Sequence, residues 1–258
     1  MLIRKEAEGI TAISQPAHAW VAGQLARNWG NDQFFTMTEE ICLAAEQHDI
    51  GFLEWERSPT LNANTGLPHT FLDMPRPLHL ELWTKGIHQM LQFGRYPALL
   101  VSMHFTALAQ REKPNGSAYD RKLLKEFLQR EGEFQTGLIT SLSNDFYYGS
   151  MSSEETIRCH QKLVSIFDWI SLLLCHRLAE PEDIPGIPTR DGSTTLKLKP
   201  LDESGGEVSL TPWPFRSKEV QLVCEGRHLL ETFTDEKIMQ EALKAAAPVT
   251  LIMKLVSE

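Results

Sequence analysis

Four residues of this chain have types and positions that suit metal chemistry. They are His18, the adjacent pair His48 and Asp49, and Asp168. An imidazole nitrogen and a carboxylate oxygen, side by side at the end of an amphipathic helix, can both reach one metal ion. A further His and Asp from two other helices can close the coordination sphere. Mixed nitrogen and oxygen donors suit Mn, Fe, Zn, Co or Ni without selecting one of them.

Asp168 lies in an apolar helical segment, LVSIFDWISLLLC. Val164, Phe167 and Leu172 share its part of the helix surface. A buried carboxylate without a partner is very costly, so this one should be ion-paired, hydrogen-bonded or bound to a metal. A salt bridge to a neighbouring Arg or Lys, or a solvent-facing turn of the helix, is the alternative to a metal.

His48 falls on the inward stripe of its helix, seven residues after Ile41 and four after Ala44. A single core histidine is more often hydrogen-bonded than a metal ligand, but the adjoining Asp49 places a second donor within reach of the same ion. His18 lies on the first turn of the preceding helix, where a ligand can face a cleft. We therefore expect these residues to form one site.

The order of these residues resembles the HD superfamily of metal-dependent phosphohydrolases, which is named for such a doublet. The resemblance implies that His18, His48, Asp49 and Asp168 bind a divalent metal. It extends over residues 10–178, and the flanking text is similar to a bacterial branch of unknown function, in ITAISQPAHAWVAGQLA, AAEQHDIGFLEWE, TGLPHTF and LLVSMHFTAL.

Some members of that superfamily bind a second metal through two more histidines between the doublet and the last aspartate. His79 and His104 are the candidates here, because His79 shares a helical face with Trp83, and His104 shares one with Leu100. Ordinary core histidines are an equal alternative for both. His88 is about half a turn off the face of His79, so we expect it at the surface. The site would then hold one ion or two.

A divalent metal with such ligands lowers the pKa of a water and takes up charge on a phosphoryl oxygen. The resemblance therefore implies hydrolysis of a phosphate ester or anhydride in a small molecule, such as a nucleotide. The candidates for the general acid or base are His104, Glu46 and Glu54, with Glu56 as a further one. Two alternatives remain open: a non-catalytic metal- or ligand-binding or sensor module of HD fold, and a di-iron oxygenase.

Phosphate binding should require an Arg or Lys beside the metal. Some two-metal relatives carry lysine directly after HDIG, and this chain has Phe52 there. The cations that could compensate from other helices, if they are not simply a solvated face, are Lys85, Arg95, Arg111 and Lys122.

Composition limits the partners. With 258 residues and a formal net charge of −9, the chain has no dense basic run, which argues against binding a nucleic-acid polymer. The N-terminus lacks the apolar core of a signal peptide, and the most apolar stretch, 164–178, is too short and polar to span a bilayer. We expect a cytoplasmic protein with a small phosphorylated substrate, and a homo-oligomer is compatible with the sequence.

Helical periodicity dominates up to residue 178, and alternating segments such as TTLKLKPL, KEVQLVCEG and VTLIMKLV follow. Ser14 and the Thr36–Glu39 pair predict the starts of the first two helices. We predict a mainly α fold, an HD-type helical bundle with a small antiparallel β layer formed by the C-terminal region and the N-terminal strand. Residues 1–180 would form the metal-binding domain and 181–258 a β-rich extension packed on it, unless both form one domain.

Overall fold

The architecture is that of a computed structural model that describes residues 1–111, 117–202 and 205–258. Its helices are α1 Gln15–Asn28, α2 Glu39–Gln47, α3 Arg76–Met90, α4 Arg95–Arg111, α5 Ala118–Ser143, α6 Glu154–Cys175 and α7 Glu236–Ala245. Its strands are β1 Leu2–Lys5, β2 Ile10–Ile13, β3 Leu61–Asn62, β4 Leu67–Pro68, β5 Glu182–Thr189, β6 Gly192–Pro200, β7 Glu207–Thr211, β8 Glu219–Leu229 and β9 Pro248–Ser257. In these residues, no helix has both the length and the apolar character needed to cross a membrane.

The main sheet has seven strands in the order β1-β2-β8-β9-β7-β6-β5. β7 and β9 run parallel, while the other neighbouring strands run antiparallel. The sheet curls into a half-barrel, and β3 and β4 form a separate two-stranded sheet. The last strand of the chain is therefore inserted between two strands that precede it.

The prediction of a mainly α bundle with a small antiparallel β layer is wrong. The structure is 49% helical and carries a large mixed sheet. Five strands after residue 181 account for most of that sheet, and the N-terminal hairpin adds two more. A period of two shows that a segment is a strand, but it does not reveal parallel pairing or how many strands meet in one sheet. The division into 1–180 and 181–258 stays a prediction, although strands from both parts share this sheet.

The capping residues in the sequence predicted the start of α1 correctly and the start of α2 incorrectly. Ser14 caps α1 by accepting a hydrogen bond from the amide of Ala17. The predicted Thr36–Glu39 capping box is wrong, because α2 begins after Thr38. Thr36 instead accepts a hydrogen bond from Arg216.

Helix α1 packs on α2, α6 and β8, so it joins the helices to the sheet. Trp29, just after α1, is fully buried and makes edge-to-face contacts with Phe34, Phe167 and Phe215. Phe167 precedes Asp168 on α6. The same core therefore fixes the position of α6 relative to α1.

A glycine permits close approach directly after the His-Asp pair. The chain leaves α2 through a single 3-10 turn, 50–52, which packs against α3. A Cβ on Gly51 would lie 2.7 Å from the amide nitrogen of Gly86 and closer still to the carbonyl oxygen of Leu82. Because Gly51 has no side chain, α3 can contact the backbone that positions Asp49.

Candidate metal centre

Three histidines and two aspartates from four helical segments meet in the interior. His18 comes from α1, His48 ends α2 and Asp49 follows it, His104 comes from α4 and Asp168 from α6. Each is buried. Their donor atoms form two groups that could each hold an ion, with His48 common to both: His18, His48 and Asp49, and His48, His104 and Asp168. The structure thus brings together the four residues singled out by their order, with His104 beside them.

In each histidine the Nε2 atom faces a carboxylate. His18 Nε2 lies 2.9 Å from Asp49 Oδ2, and His48 Nε2 lies 3.3 Å from Asp168 Oδ1. The other oxygen of Asp168 lies 3.5 Å from His104 Nε2. The two carboxylates therefore link the three imidazoles into one cluster.

The opposite ring nitrogen, Nδ1, is occupied by a hydrogen bond in His48 and His18. His48 Nδ1 lies 2.8 Å from the carbonyl oxygen of Ala45, which can only accept, so Nδ1 carries the proton. His18 Nδ1 lies 2.8 Å from Ser171 Oγ, whose own proton is donated to the carbonyl of Asp168. Both rings therefore present Nε2 as a free lone pair unless they take up a second proton. Metal-binding histidines are oriented in this way by the partner of the other nitrogen.

His104 has a similar arrangement. Its Nδ1 lies 2.8 Å from Ser165 Oγ, which also accepts a hydrogen bond from Gln161. Its Nε2 is buried and has no hydrogen-bond partner in the described structure. A cation beside Asp168 would satisfy that nitrogen.

The charges of the cluster depend on one another. Burial opposes charge on His48, but Asp49 and Asp168 outweigh it and hold the pKa of His48 well above its ordinary value. Burial likewise opposes charge on Asp49, but His48 and His18 hold its pKa well below the usual range. For His104 burial prevails and lowers its pKa to about 4, so this imidazole is neutral near pH 7.

This donor set fits a divalent cation. Two carboxylates are ionised, and lone pairs on imidazole nitrogens point toward them. Without a cation, His48 must be an imidazolium, because a bare Nε2 at 3.3 Å from a carboxylate oxygen would be repelled. A metal ion would supply the same positive charge while leaving the imidazoles neutral.

Residues that the sequence did not indicate hold the cluster in place. The side-chain amide of Gln15 donates a hydrogen bond to Asp49 Oδ2 at 3.0 Å, and its backbone N–H donates to Glu56 Oε2 at 2.7 Å. Ser165 and Ser171 orient two of the histidines. The signal was spacing: Gln15 is three residues before His18, and the serines are three before and three after Asp168. Polar residues at that interval share a helical face with the ligand.

A pocket of about 430 Å³ opens onto the cluster. Phe71 and Leu72, between β4 and α3, form one side of it, and Trp169 and Leu172 of α6 form another. Trp83, Phe105 and Leu108 complete its apolar wall. His176, directly after α6, also lines the pocket, although no pattern in the sequence indicates this.

His79 lines this pocket but takes no part in the two donor groups. It packs against Trp83 with 4.3 Å between ring centroids, and burial lowers its pKa to about 4. His88 is exposed, as the helical step predicted.

The candidate acids and bases lie in different places. His104 lines the pocket, whereas Glu46 pairs with Arg27 and exposed Glu54 pairs with Lys85, both outside it. Glu56 is buried and pairs with the N-terminal amino group.

No Arg or Lys of the described chain lines the pocket. Of the cations proposed to bind phosphate, Lys85 pairs with Glu54, Arg95 with Asp145 and Lys122 with Glu126. The fourth, Arg111, faces a separate polar pocket.

One comparison with known proteins gives a match. The model of a family described as "Protein of unknown function (DUF3891)" matches residues 1–231. No curated protein and no solved structure matches significantly.

Proposed function

The chain belongs to the DUF3891 family, whose description assigns no function, and we propose from the buried cluster that it is a metal-dependent phosphohydrolase. The observation that supports this best is the orientation of the histidines. His18 and His48 have Nδ1 fixed by hydrogen bonds, and each directs Nε2 at an ionised aspartate. The resemblance of the residue order to the HD superfamily supports the same activity.

The residues proposed to hold the metal are His18, His48, Asp49 and Asp168, with His104 available beside them for a second ion. A divalent cation held there would lower the pKa of a water and stabilise charge on a phosphoryl oxygen. Gln15 and Ser171 keep Asp49 and His18 in position.

The reaction is hydrolysis of a phosphate ester. The oxygen of a water forms a bond to phosphorus, and the bond between phosphorus and the alcohol oxygen breaks. The leaving alkoxide takes a proton from that water, so the products are an alcohol and inorganic phosphate. No oxidant or reductant is needed.

A non-catalytic metal- or ligand-binding module is the second candidate. It is favoured by the position of Glu46 and Glu54, which were predicted as acid or base but lie outside the pocket. Such a module would take up metal and bind a ligand without turnover.

Elemental analysis of purified protein tests the proposal. Wild type should contain about one or two equivalents of transition metal, and Asp49→Asn should contain almost none. Glu154→Gln is a matched control, since this exposed carboxylate on α6 lies far from the cluster along the same helix as Asp168. Wild-type protein that is free of metal and fails to take up Mn, Fe, Zn, Co or Ni would refute the proposal.

An activity assay distinguishes the candidate functions that all require a bound metal. Turnover of p-nitrophenyl phosphate by wild type and Glu154→Gln, but not by Asp49→Asn, supports the hydrolase. Metal uptake without turnover of any phosphate ester supports the binding module. A visible absorption band in aerobic, iron-loaded protein would indicate the di-iron oxygenase instead.

A further inference from the structure

We propose that the natural substrate is a phosphate monoester of an alcohol with a large apolar group, alkyl or aryl, rather than a nucleotide. This inference rests on the proposed function, since it assigns the chemical nature of the substrate group that extends from the metal cluster into the pocket. Its evidence is independent, because it comes from the pocket wall rather than from the ligands.

The pocket wall beyond the cluster is almost wholly apolar. Phe105 and Leu108 of α4 and Leu172 of α6 lie next to the cluster residues of their own helices. Trp83 stacks on Phe105 with 4.8 Å between ring centroids, so these two lining residues are packed against each other. Covering such a wall is most favourable for a substrate group that is itself apolar.

Two large apolar side chains of the wall are left exposed to water. Leu72 is 77% exposed and Trp169 is 44% exposed. They belong to different segments, the connection before α3 and helix α6, yet both line the same pocket. An apolar occupant that covers both would bury apolar surface on each partner, whereas a sugar or a second phosphate would lose its own hydration there.

The charges also oppose a nucleoside di- or triphosphate. Nucleoside di- and triphosphates carry several negative charges, which proteins bind with Arg, Lys or backbone amides at a helix N-terminus. No described Arg or Lys lines this pocket. A single phosphoryl group has the metal cluster as its partner, but further phosphates would have no described Arg or Lys of the pocket lining beside them.

The size of the pocket permits such a group. A volume of about 430 Å³ lies within the range of about 300–1,000 Å³ that holds small ligands. Burying one more methylene should therefore strengthen binding by about fourfold until the chain reaches solvent.

Isothermal titration with a series of n-alkyl phosphates, from ethyl to octyl, tests the inference on metal-loaded protein. We expect Kd to fall by about two- to fourfold per methylene over part of the series, and octyl phosphate to bind more tightly than AMP or ADP. An affinity that does not change with chain length, or a preference for ADP over octyl phosphate, would overturn the inference.

A double variant locates the effect. Leu72→Ser with Trp169→Ser should weaken octyl phosphate binding by about tenfold and leave ethyl phosphate binding unchanged. Both side chains are in the exposed class, so we expect the double variant to fold, and its thermal unfolding checks this. The control is Leu230→Ser with Phe146→Ser, which removes two exposed large apolar groups outside the pocket and should change neither affinity. Equal losses in both double variants would contradict the assignment.

Absence of metal binding and absence of binding to the apolar wall give different results. If the protein takes up no metal, no alkyl phosphate gains affinity from its phosphate. The same titration of metal-stripped protein with n-alkanols, from butanol to octanol, still tests the apolar wall. A series without chain-length dependence in both forms would refute the inference whatever the metal content.

Discussion

Replacing Gly51 by alanine tests how the backbone after the His-Asp pair positions the site. The new Cβ would lie 2.7 Å from the amide nitrogen of Gly86, against 3.4–4 Å for ordinary contacts. It would lie closer still to the carbonyl oxygen of Leu82. Since these neighbours are backbone atoms of α3, the turn and the helix must separate by more than half an ångström.

The expected cost follows from packing. Extra atoms in a close-packed interior cost roughly 1–3 kcal/mol, and we expect about 3 kcal/mol here because no flexible side chain can yield. At about 2–4 °C per kcal/mol for a chain of this size class, Gly51→Ala should lower the Tm by about 6–12 °C. Asp49 is two residues away, so metal affinity should also fall by about tenfold or more.

The assay is thermal unfolding in the presence of chelator, followed by a metal titration. Gly137→Ala is the control: this glycine lies inside α5, and its added Cβ would meet no atom within 4 Å. Alanine in an exposed helix interior is favoured by about 0.5–1 kcal/mol, so Gly137→Ala should raise the Tm by about 1–4 °C. A Gly51→Ala protein that melts with wild type and binds metal equally well would refute the reasoning.

Three further expectations concern the cluster and its support. Ser171→Ala removes the acceptor of the His18 Nδ1 proton, so metal affinity should fall by about 10- to 100-fold in a chelator competition titration. In metal-free protein, the stability that His48 contributes is complete below about pH 6.5 and is lost as the pH rises through its raised pKa. The contribution of Asp49 is complete above about pH 4 and is lost as the pH falls through its lowered pKa, so urea unfolding should show a maximum between these limits. Phe167→Ala should lower the free energy of unfolding by about 3–5 kcal/mol, because this ring is fully buried.

Each of these has a control or a contrary result. Ser143→Ala removes an exposed hydroxyl bonded within α5 and should leave metal affinity unchanged. The alkaline loss of stability should disappear in His48→Gln, and its persistence there would assign it to another group. For Phe167→Ala, a change below about 1 kcal/mol would show that the core around Trp29 closes over the cavity.

The site residues could be found in the sequence because each one breaks a local pattern. Asp168 interrupts an apolar helix, and His48 lies on the buried stripe of another. The apolar pattern of each helix is therefore enough to indicate that both side chains point inward. Their convergence with His18 came from the order of the residues rather than from any local signal. Gln15 and Ser171 were missed because polar residues of their types are unremarkable on a helix until their partners are known.

The fold was harder to predict because its main contacts are distant in sequence. β2 pairs with β8, more than 200 residues later, and β9 inserts between β7 and β8. Alternation indicated strands in the C-terminal region, but partner choice depends on the assembled sheet. Helix starts depend on a few neighbouring residues, which is why Ser14 was identified as the cap of α1.

The pairing of α1 with a late strand sets the order in which the protein can be completed during synthesis. The side chain of Gln24 on α1 donates to the carbonyl of Val223 at 2.8 Å and accepts from its amide at 3.0 Å, so this helix is fastened to β8. A nascent chain that has reached residue 180 already contains all the proposed ligands, yet β2 has no partner and α1 has no sheet beneath it. Such contacts between distant parts of a chain form slowly and leave an open strand edge in the meantime. The proposed ligands are therefore translated early, whereas the sheet that supports α1 is completed late.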